Sequence, residues 1–356
     1  MSFKAIKRLA ASVCCAAVAA ASLTSCGDTT YICRSGDKSV NAGVYIYYVL
    51  SRLNSQAYSY YTTNGTASQD IINEKYGDGT MTVGEFSQTD SYSMCERLIT
   101  AQLKFDEMGL SFTDEEKQQI EDTVESNWDA DYYESMGISK DSLDQIQTGI
   151  AMLDKIFHAY YGEDGEAAVS DSEINTFLTD NYVRFKLISV EKTEGKESQA
   201  KATAEDYAKR AEEKSFDEVI KEYQEEHSDD ESGEDTSDGS EEQDTDNNIM
   251  INKNSSSYSS NQVVKYIDNS MQNGEIKTYE DDNYWYVIQK LDVLSYGDYV
   301  KDNRDSLISE MKSEDFEEVI KGWTDSYQII RNDDSYSRYT PKSIYKKYQK
   351  YQEKNQ

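Results

Sequence analysis

The chain has 356 residues and a mass of 40.6 kDa, and its 68 acidic and 36 basic side chains give a formal charge of −32. A charge of this sign excludes proteins that bind nucleic acid by neutralising phosphates, and it disfavours docking onto anionic lipid headgroups. The single proline, Pro341, permits long helices and excludes a proline-rich stalk. At about 100–200 residues per domain, the length indicates two or three domains.

Residues 1–25 have the pattern of an export signal. Three basic residues precede an apolar run over residues 9–23, which is too short to span about 30 Å of hydrocarbon. The run ends at Leu23–Cys26, which resembles the bacterial lipoprotein box, where the signal is cut before the cysteine and diacylglycerol is attached to its thiol. We therefore expect Cys26 to anchor the chain in a lipid bilayer. An ordinary signal peptide with a chance cysteine is the alternative.

After removal of the signal, two cysteines remain besides Cys26. Cys33 lies in a polar stretch, residues 26–40, that is predicted to be a tether, whereas Cys95 lies on a predicted helix. An exported chain allows the two to pair, but this placement favours two unpaired thiols. Neither is part of a CxxC motif, and His158 and His227 are the only histidines, so we expect no metal site and no cofactor.

Residues 41–180 show the helical period of apolar side chains. Helices are expected over about 46–60 and 94–108, the second one ending at Gly109. Capping boxes predict two further helix starts: Thr113 with Glu116 opens a helix to about residue 135, and Ser170 with Glu173 opens a short one. Between these two, a strongly periodic helix is expected over 139–162. This block is therefore predicted to be an all-helical domain.

The pattern changes at residue 181. Two strands are predicted, over 182–190 and 284–293, from alternating β-branched and aromatic residues. Helices are expected over 198–213 and after Ser215, and Asn273-Gly274 predicts a turn. The acidic tract 225–248 lacks large apolar residues and is predicted to be a disordered loop.

The C-terminal part is expected to return to helix over 294–330, followed by a loosely held tail, 331–356. Because the helix carries a strong apolar stripe, it must bury that stripe, and the first helical domain is the nearest partner. The sequence thus predicts a mainly helical α+β fold, in which both chain ends form one helical body and residues 181–293 form a small inserted α/β domain.

This organisation resembles the SurA/PrsA type of foldase, exported chaperones with a helical domain and an inserted parvulin (PpiC-like) prolyl isomerase domain. The strings that carry the resemblance are Ala42–Tyr48, Phe105–Leu110, Gly137–Leu143, Val183–Val190, Ser215–Glu218, Ser228–Asp230, Asn273–Ile276 and Tyr286–Val293. The likeness covers residues 40–325. PrsA members are lipoproteins of Gram-positive bacteria, so the resemblance implies an extracytoplasmic protein held at the outer face of the cell membrane.

The resemblance also implies where a parvulin site would lie. The two family histidines fall at Leu187 and Tyr286, the acidic position is retained as Asp230, and the pocket phenylalanine falls near Val264. The Gly-Gly after the acidic position is replaced by the charged tract. The expectation is a parvulin fold with weak or no isomerase activity, in which Tyr286 donates a hydrogen bond or packs, and Asp230 is a solvated carboxylate.

A chaperone of this type is expected to bind unfolded exported polypeptides. Its candidate contacts are tyrosines, which combine a flat apolar face with a polar hydroxyl; on the first long helix these are Tyr45, Tyr47, Tyr48, Tyr58, Tyr60 and Tyr61. The alternative is that these tyrosines all pack in the core or are scattered over the surface. Competing functions are an active parvulin-type isomerase and a solute-binding lipoprotein; no GxSxG or HExxH motif supports a hydrolase.

Overall fold

The structure is a computed structural model that describes residues 31–227 and 248–355. The predicted signal peptide, Cys26 and Asp230 lie outside the described residues, as does most of the acidic tract 225–248.

The chain divides into two compact units. The first, called the body, comprises the described residues of 31–167 and 312–355, and the second, called the insert, those of 168–311. Since the insert separates the two parts of the body in the sequence, the predicted architecture of a mainly helical α+β chain with a small inserted α/β domain is confirmed. The unit boundary falls at residue 168, however, so the short helix opened by Ser170 belongs to the insert and not to the block 41–180.

In chain order, the described residues form these helices: α1 (Ala42–Asn64), α2 (Val83–Glu107), α3 (Asp114–Asn127), α4 (Ala130–Met136), α5 (Lys140–Tyr161), α6 (Asp171–Asn181), α7 (Glu197–Glu213), α8 (Phe216–His227), α9 (Ser256–Ser260), α10 (Gln262–Ser270), α11 (Tyr299–Asp302), α12 (Arg304–Ser326), α13 (Asp333–Arg338) and α14 (Pro341–Asn355). The strands are β1 (Tyr31–Ser35), β2 (Lys38–Asn41), β3 (Lys75–Tyr76), β4 (Met81–Thr82), β5 (Tyr182–Glu191), β6 (Ile249–Asn252), β7 (Ile276–Glu280), β8 (Tyr284–Leu291) and β9 (Ile330–Arg331).

Local hydrogen bonds fix where the helices begin. Both predicted capping boxes form: the hydroxyl of Thr113 accepts the N–H of Glu116 at 3.2 Å, and Ser170 accepts that of Glu173 at 3.2 Å. In each box the glutamate carboxylate accepts the N–H of the capping residue in return, so two otherwise unpaired donors are satisfied. The helix predicted over 113–135 is interrupted, because Asp129 accepts the N–H of Tyr132 and starts α4 as a separate helix.

The body is built on three helices, α1, α2 and α5, that approach closely at small residues. A β-carbon at Gly43 of α1 would lie 2.3 Å from Oγ of Ser142, and one at Gly149 of α5 would lie 2.2 Å from Cδ2 of Leu98 on α2. The core between the helices includes the fully buried Leu53. Glycine at both crossings therefore sets how near the helices pack.

The two chain ends meet in a small antiparallel sheet of the body, with strand order β2-β1-β9. The N–H of Asn332 donates to the carbonyl of Ile32 at 2.8 Å, and its side-chain amide donates to that of Tyr31 at 2.9 Å. The expectation of a tether up to residue 40 is wrong for residues 31–40, since Ile32, Cys33 and Val40 are fully buried in the body core.

The second half of α12 packs within the body, against α2 and α5. Phe316 contacts Phe157 edge to face with ring centroids 5.1 Å apart, and the hydroxyls of Thr100 and Thr324 lie 2.8 Å apart. Because Phe316 is buried, this packing covers apolar side chains in the second half of the C-terminal helix, whereas residues up to 311 belong to the insert.

The prediction of a loosely held tail over 331–356 is wrong for its described residues. They form α13 and α14, and α14 packs on α1, α2 and α4 of the body. Ile344 is buried, and the ring of Tyr351 lies 5.4 Å from that of Tyr132. The packed side of α14 consists mainly of tyrosines, which is why its apolar period was not visible in the sequence.

The insert contains a four-stranded antiparallel sheet of strand order β6-β5-β8-β7. Side chains alternate between its two faces. On one face, Ile188 and Val287 pack in a cluster with residues of α7 and α8; on the other, Phe185 and Ile288 pack with Ile267 of α10. The sheet is thus covered by helices on both faces.

Candidate functional site

Four residues correspond, by the resemblance, to the parvulin site, and the structure places three of them on the same face of the insert sheet. Leu187 of β5 and Tyr286 of β8 are partly buried against the cluster that contains the buried Val264 of α10. The fourth, Asp230, lies outside the described residues. We call the surface formed by Leu187, Val264 and Tyr286, together with Tyr266 and Tyr279, the tyrosine face.

The Tyr286 hydroxyl is held by a carboxylate at the turn between β7 and β8. It donates to Oδ2 of Asp281 at 2.8 Å, while Oδ1 of the same residue accepts the backbone N–H groups of Asn283 at 2.8 Å and Tyr284 at 2.7 Å. Burial, followed by the hydrogen bond to Asp281, raises the pKa of Tyr286 well above its usual value. Burial would also raise the pKa of Asp281, but its three donors lower it on balance. The Asp281 carboxylate thus links the β7–β8 turn to the side chain of Tyr286.

The rest of the tyrosine face is aromatic. Tyr279 lies opposite Tyr286 in the strand register, with ring centroids 6.4 Å apart, and Tyr266 of α10 lies 4.6 Å from Tyr279. Such rings offer apolar contact area with a polar edge. The face can therefore pack against an apolar group.

The two histidines of the chain lie in different units. His158 is on α5 of the body, 3.6 Å from Asp154. His227 ends α8, where its ring packs on Tyr223, and α8 covers the opposite face of the insert sheet. Within the insert, the imidazole of His227 therefore lies on the opposite side of the sheet from Leu187 and Tyr286.

The six candidate tyrosines of α1 divide into buried and exposed groups. Tyr45 and Tyr48 lie in the body core, with 0% and 8% of their surface exposed, so the expectation that they contact a client is wrong. Tyr47 and Tyr60 are half-buried against the same core. Only Tyr58 and Tyr61 of the set are well exposed, at 71% and 54%. Being three residues apart, these two are neighbours on the helix surface.

The body also has an aromatic cleft that the sequence analysis missed. It has a volume of about 370 Å³ and lies beside the β3–β4 hairpin. Its apolar lining is Tyr76, Met81 and Phe86, with the Tyr76 and Phe86 rings stacked 3.7 Å apart and only 9° from parallel. Polar groups, among them the Asp90 carboxylate, line the rest, and Asp90 itself pairs with Arg52. The capping box Thr82–Glu85, which the sequence analysis also missed, marks where α2 begins, and Phe86 and Asp90 of this helix line the cleft.

The described part of the chain offers no site for a metal ion, since no three His, Cys, Asp or Glu side chains cluster there. Cys33 and Cys95 are both free and buried. Among helices in the described ranges, none combines the length and apolar character needed to cross a bilayer.

The chain is similar to three solved foldase proteins named PrsA. The one from Lactococcus lactis is 11% identical, with 86% of this chain and 96% of that chain covered and a TM-score of 0.34. The one from Bacillus subtilis is 15% identical, with coverage of 72% and 91% and a TM-score of 0.26. The one from Streptococcus pneumoniae is 16% identical, with coverage of 70% and 87% and a TM-score of 0.29.

No protein-family model and no curated protein sequence matches the chain.

Proposed function

We propose that the protein is an extracytoplasmic folding factor that binds unfolded exported polypeptides through aromatic surface of its body. The observation that carries the proposal is the aromatic cleft: stacked rings and a flexible methionine form an apolar lining within a strongly acidic protein. Such a lining accepts apolar side chains of many shapes. The methionine side chain can change its conformation to fit them, and the flat aromatic rings offer a large apolar contact area. Tyr58 and Tyr61 add a second exposed contact.

The high negative charge supports this function in two ways. A net charge of −32 keeps a protein that exposes apolar groups soluble. It also attracts basic segments of unfolded chains at long range, and this attraction weakens as salt is added. We therefore propose that clients rich in basic and aromatic residues bind best, and that their association slows with increasing ionic strength.

The proposed anchor is a diacylglycerol on Cys26, which would hold the protein at the outer face of the cell membrane. Its support is the sequence Leu23–Cys26 at the end of the signal pattern. Metabolic labelling with a radioactive fatty acid tests it: label should enter the intact chain and be absent from Cys26→Ala. Equal labelling of both would refute the anchor.

The insert is proposed to be a client-contacting or spacing module with weak or no prolyl isomerase activity. Isomerisation has a barrier of about 18–20 kcal/mol set by amide resonance. The tyrosine face offers a leucine and a neutral, hydrogen-bonded tyrosine where the related enzymes have imidazoles. In a protease-coupled assay on a proline peptide we expect little acceleration; a rate like that of an ordinary parvulin would establish the competing function, an active isomerase.

Aggregation of an unfolded exported protein, followed by light scattering, tests the main proposal. We expect suppression at near-stoichiometric ratio, reduced by Phe86→Ala and by Tyr58→Ser with Tyr61→Ser. Ile150→Ser is the matched control, because Ile150 is 52% exposed in the same unit but stands outside both aromatic features. No suppression by the unmodified chain, or equal loss in the control, would contradict the proposal. A melting shift with a small solute would instead favour a solute-binding lipoprotein.

A further inference from the structure

Helix α14 is basic in a strongly acidic chain. Its 15 residues contain five lysines and a single acidic residue, Glu353, so its net charge is +4. Four of the lysines recur at intervals of four residues and are exposed; we call them the lysine stripe: Lys342, Lys346, Lys350 and Lys354. Residues four apart are neighbours on a helix, so the stripe follows one side of α14 for about 18 Å.

Packing fixes which side of α14 the stripe occupies. Ile344 is buried, and Tyr348 and Tyr351 are half-buried against the body core. The fifth lysine, Lys347, donates to the carbonyl of Met136 at 3.4 Å. Since these contacts hold one side of the helix against the body, the stripe faces away from the core.

The stripe has no counter-charge in the part of the chain that the structure describes. None of its four ammonium groups lies within 4.0 Å of a described carboxylate, although lysines elsewhere, such as Lys155 with Glu116, form such pairs. Like charges four residues apart destabilise a helix. An external anionic surface would relieve this repulsion, and clusters of four to eight basic residues beside a membrane attachment are a recognised pattern for binding anionic lipid.

The position of α14 favours a lipid surface as the anionic partner. Cys26, the proposed attachment point, precedes Tyr31 by five residues, which span at most about 18 Å. The carbonyl of Tyr31 accepts a hydrogen bond from Asn332, and only α13 separates Asn332 from the start of α14. The lipid attachment and the lysine stripe therefore emerge from connected parts of one unit, the body.

We propose that the lysine stripe docks the body onto anionic phospholipid headgroups of the bilayer that holds the Cys26 anchor. This inference rests on the anchor proposed above. The total charge of the chain disfavours docking onto anionic lipid, but at physiological salt the screening length is only about 8 Å. The charges nearest the membrane therefore decide the interaction. The Cys26 anchor alone would limit only the distance between the body and the bilayer, whereas docking along α14 would also fix the orientation of the body.

Vesicle sedimentation with the mature chain, made without acylation, tests the stripe separately from the anchor. We expect binding to vesicles of equal parts phosphatidylglycerol and phosphatidylcholine, no binding to pure phosphatidylcholine, and loss of binding as salt is raised. Changing the four stripe lysines to Gln should weaken binding on the order of 600-fold, since each lysine near such a surface contributes roughly fivefold.

The matched control changes four exposed lysines elsewhere to Gln: Lys196, Lys209, Lys221 and Lys321. It removes the same total charge and should leave vesicle binding nearly unchanged. Equal weakening in both variants, or no binding by the unmodified chain, would overturn the proposal. Binding to soluble polyphosphate without binding to vesicles would also overturn it and assign the stripe to a soluble polyanion. Suppression of client aggregation should be the same in both variants, so failure here is distinguishable from failure of the proposed function.

Discussion

Gly149→Ala is expected to destabilise the body even though alanine is the better helix former. The substitution gains about 1 kcal/mol of helix propensity. Its new β-carbon, however, would lie 2.2 Å from Cδ2 and 3.4 Å from Cγ of Leu98, which is only 2% exposed and cannot swing into solvent. Overpacking of this kind costs typically about 1–3 kcal/mol, so we expect a net loss of about 1 kcal/mol.

Gly322→Ala is the matched control in the same unit. Gly322 also lies inside a helix, α12, but a β-carbon there would meet no atom within 4 Å. It should therefore gain up to about 1 kcal/mol from propensity alone. Urea unfolding should move the midpoint of the body transition in opposite directions for the two variants, with the slope unchanged. Adding Leu98→Val to Gly149→Ala should recover part of the loss; equal stabilisation by both glycine substitutions would refute the reasoning.

Three further outcomes follow from buried groups. Burial raises the pKa of the Cys33 thiol to about 12 and that of the Cys95 thiol well above its usual value. Neither thiol should therefore react with Ellman's reagent until the chain is unfolded. Rapid labelling of the folded chain would contradict this. Tyr286→Phe removes the hydrogen bond to Asp281 and should cost about 1 kcal/mol in urea unfolding, without changing any prolyl isomerase rate. Burial raises the pKa of the Glu96 carboxyl in the folded chain, so its stabilising contribution is complete below the unfolded pKa of about 4.3 and is lost as pH rises through the higher folded pKa. The stability of Glu96→Gln relative to the unmodified chain should therefore rise between acidic and neutral pH. A stability difference between the two chains that does not change with pH would argue against this.

Elements with local signals were predictable from the sequence. The capping boxes at Thr113 and Ser170 set helix starts within one residue of the observed ones, and the alternating pattern of β5 and β8 gave two central strands of the insert sheet. In these cases the residues that determine the structure are adjacent in the sequence, so periodicity and caps suffice.

Elements that depend on distant partners were not predictable. β1 pairs with its neighbour β2 and also with β9, about 300 residues later, and nothing local in its five residues indicates this second partner. Helix α14 packs tyrosines against the body core. Hydropathy scales count tyrosine as only weakly apolar, so the packed side of this helix was not predicted. The aromatic cleft was not predicted either, because Tyr76 and Phe86 lie on different elements and their rings meet only in the folded body.

The hydrogen bonds between Asn332 and the first strand have a consequence for the order of folding during synthesis. A chain made from its N-terminus presents β1 early, but the residues that complete its sheet emerge only near the end of synthesis. The insert, whose residues are contiguous in the sequence, can fold before then. The body therefore passes through an interval in which its N-terminal helices expose the surface that α12 and α14 later cover, and this interval ends only when about the last 45 residues, from the unit boundary to the C-terminus, have emerged.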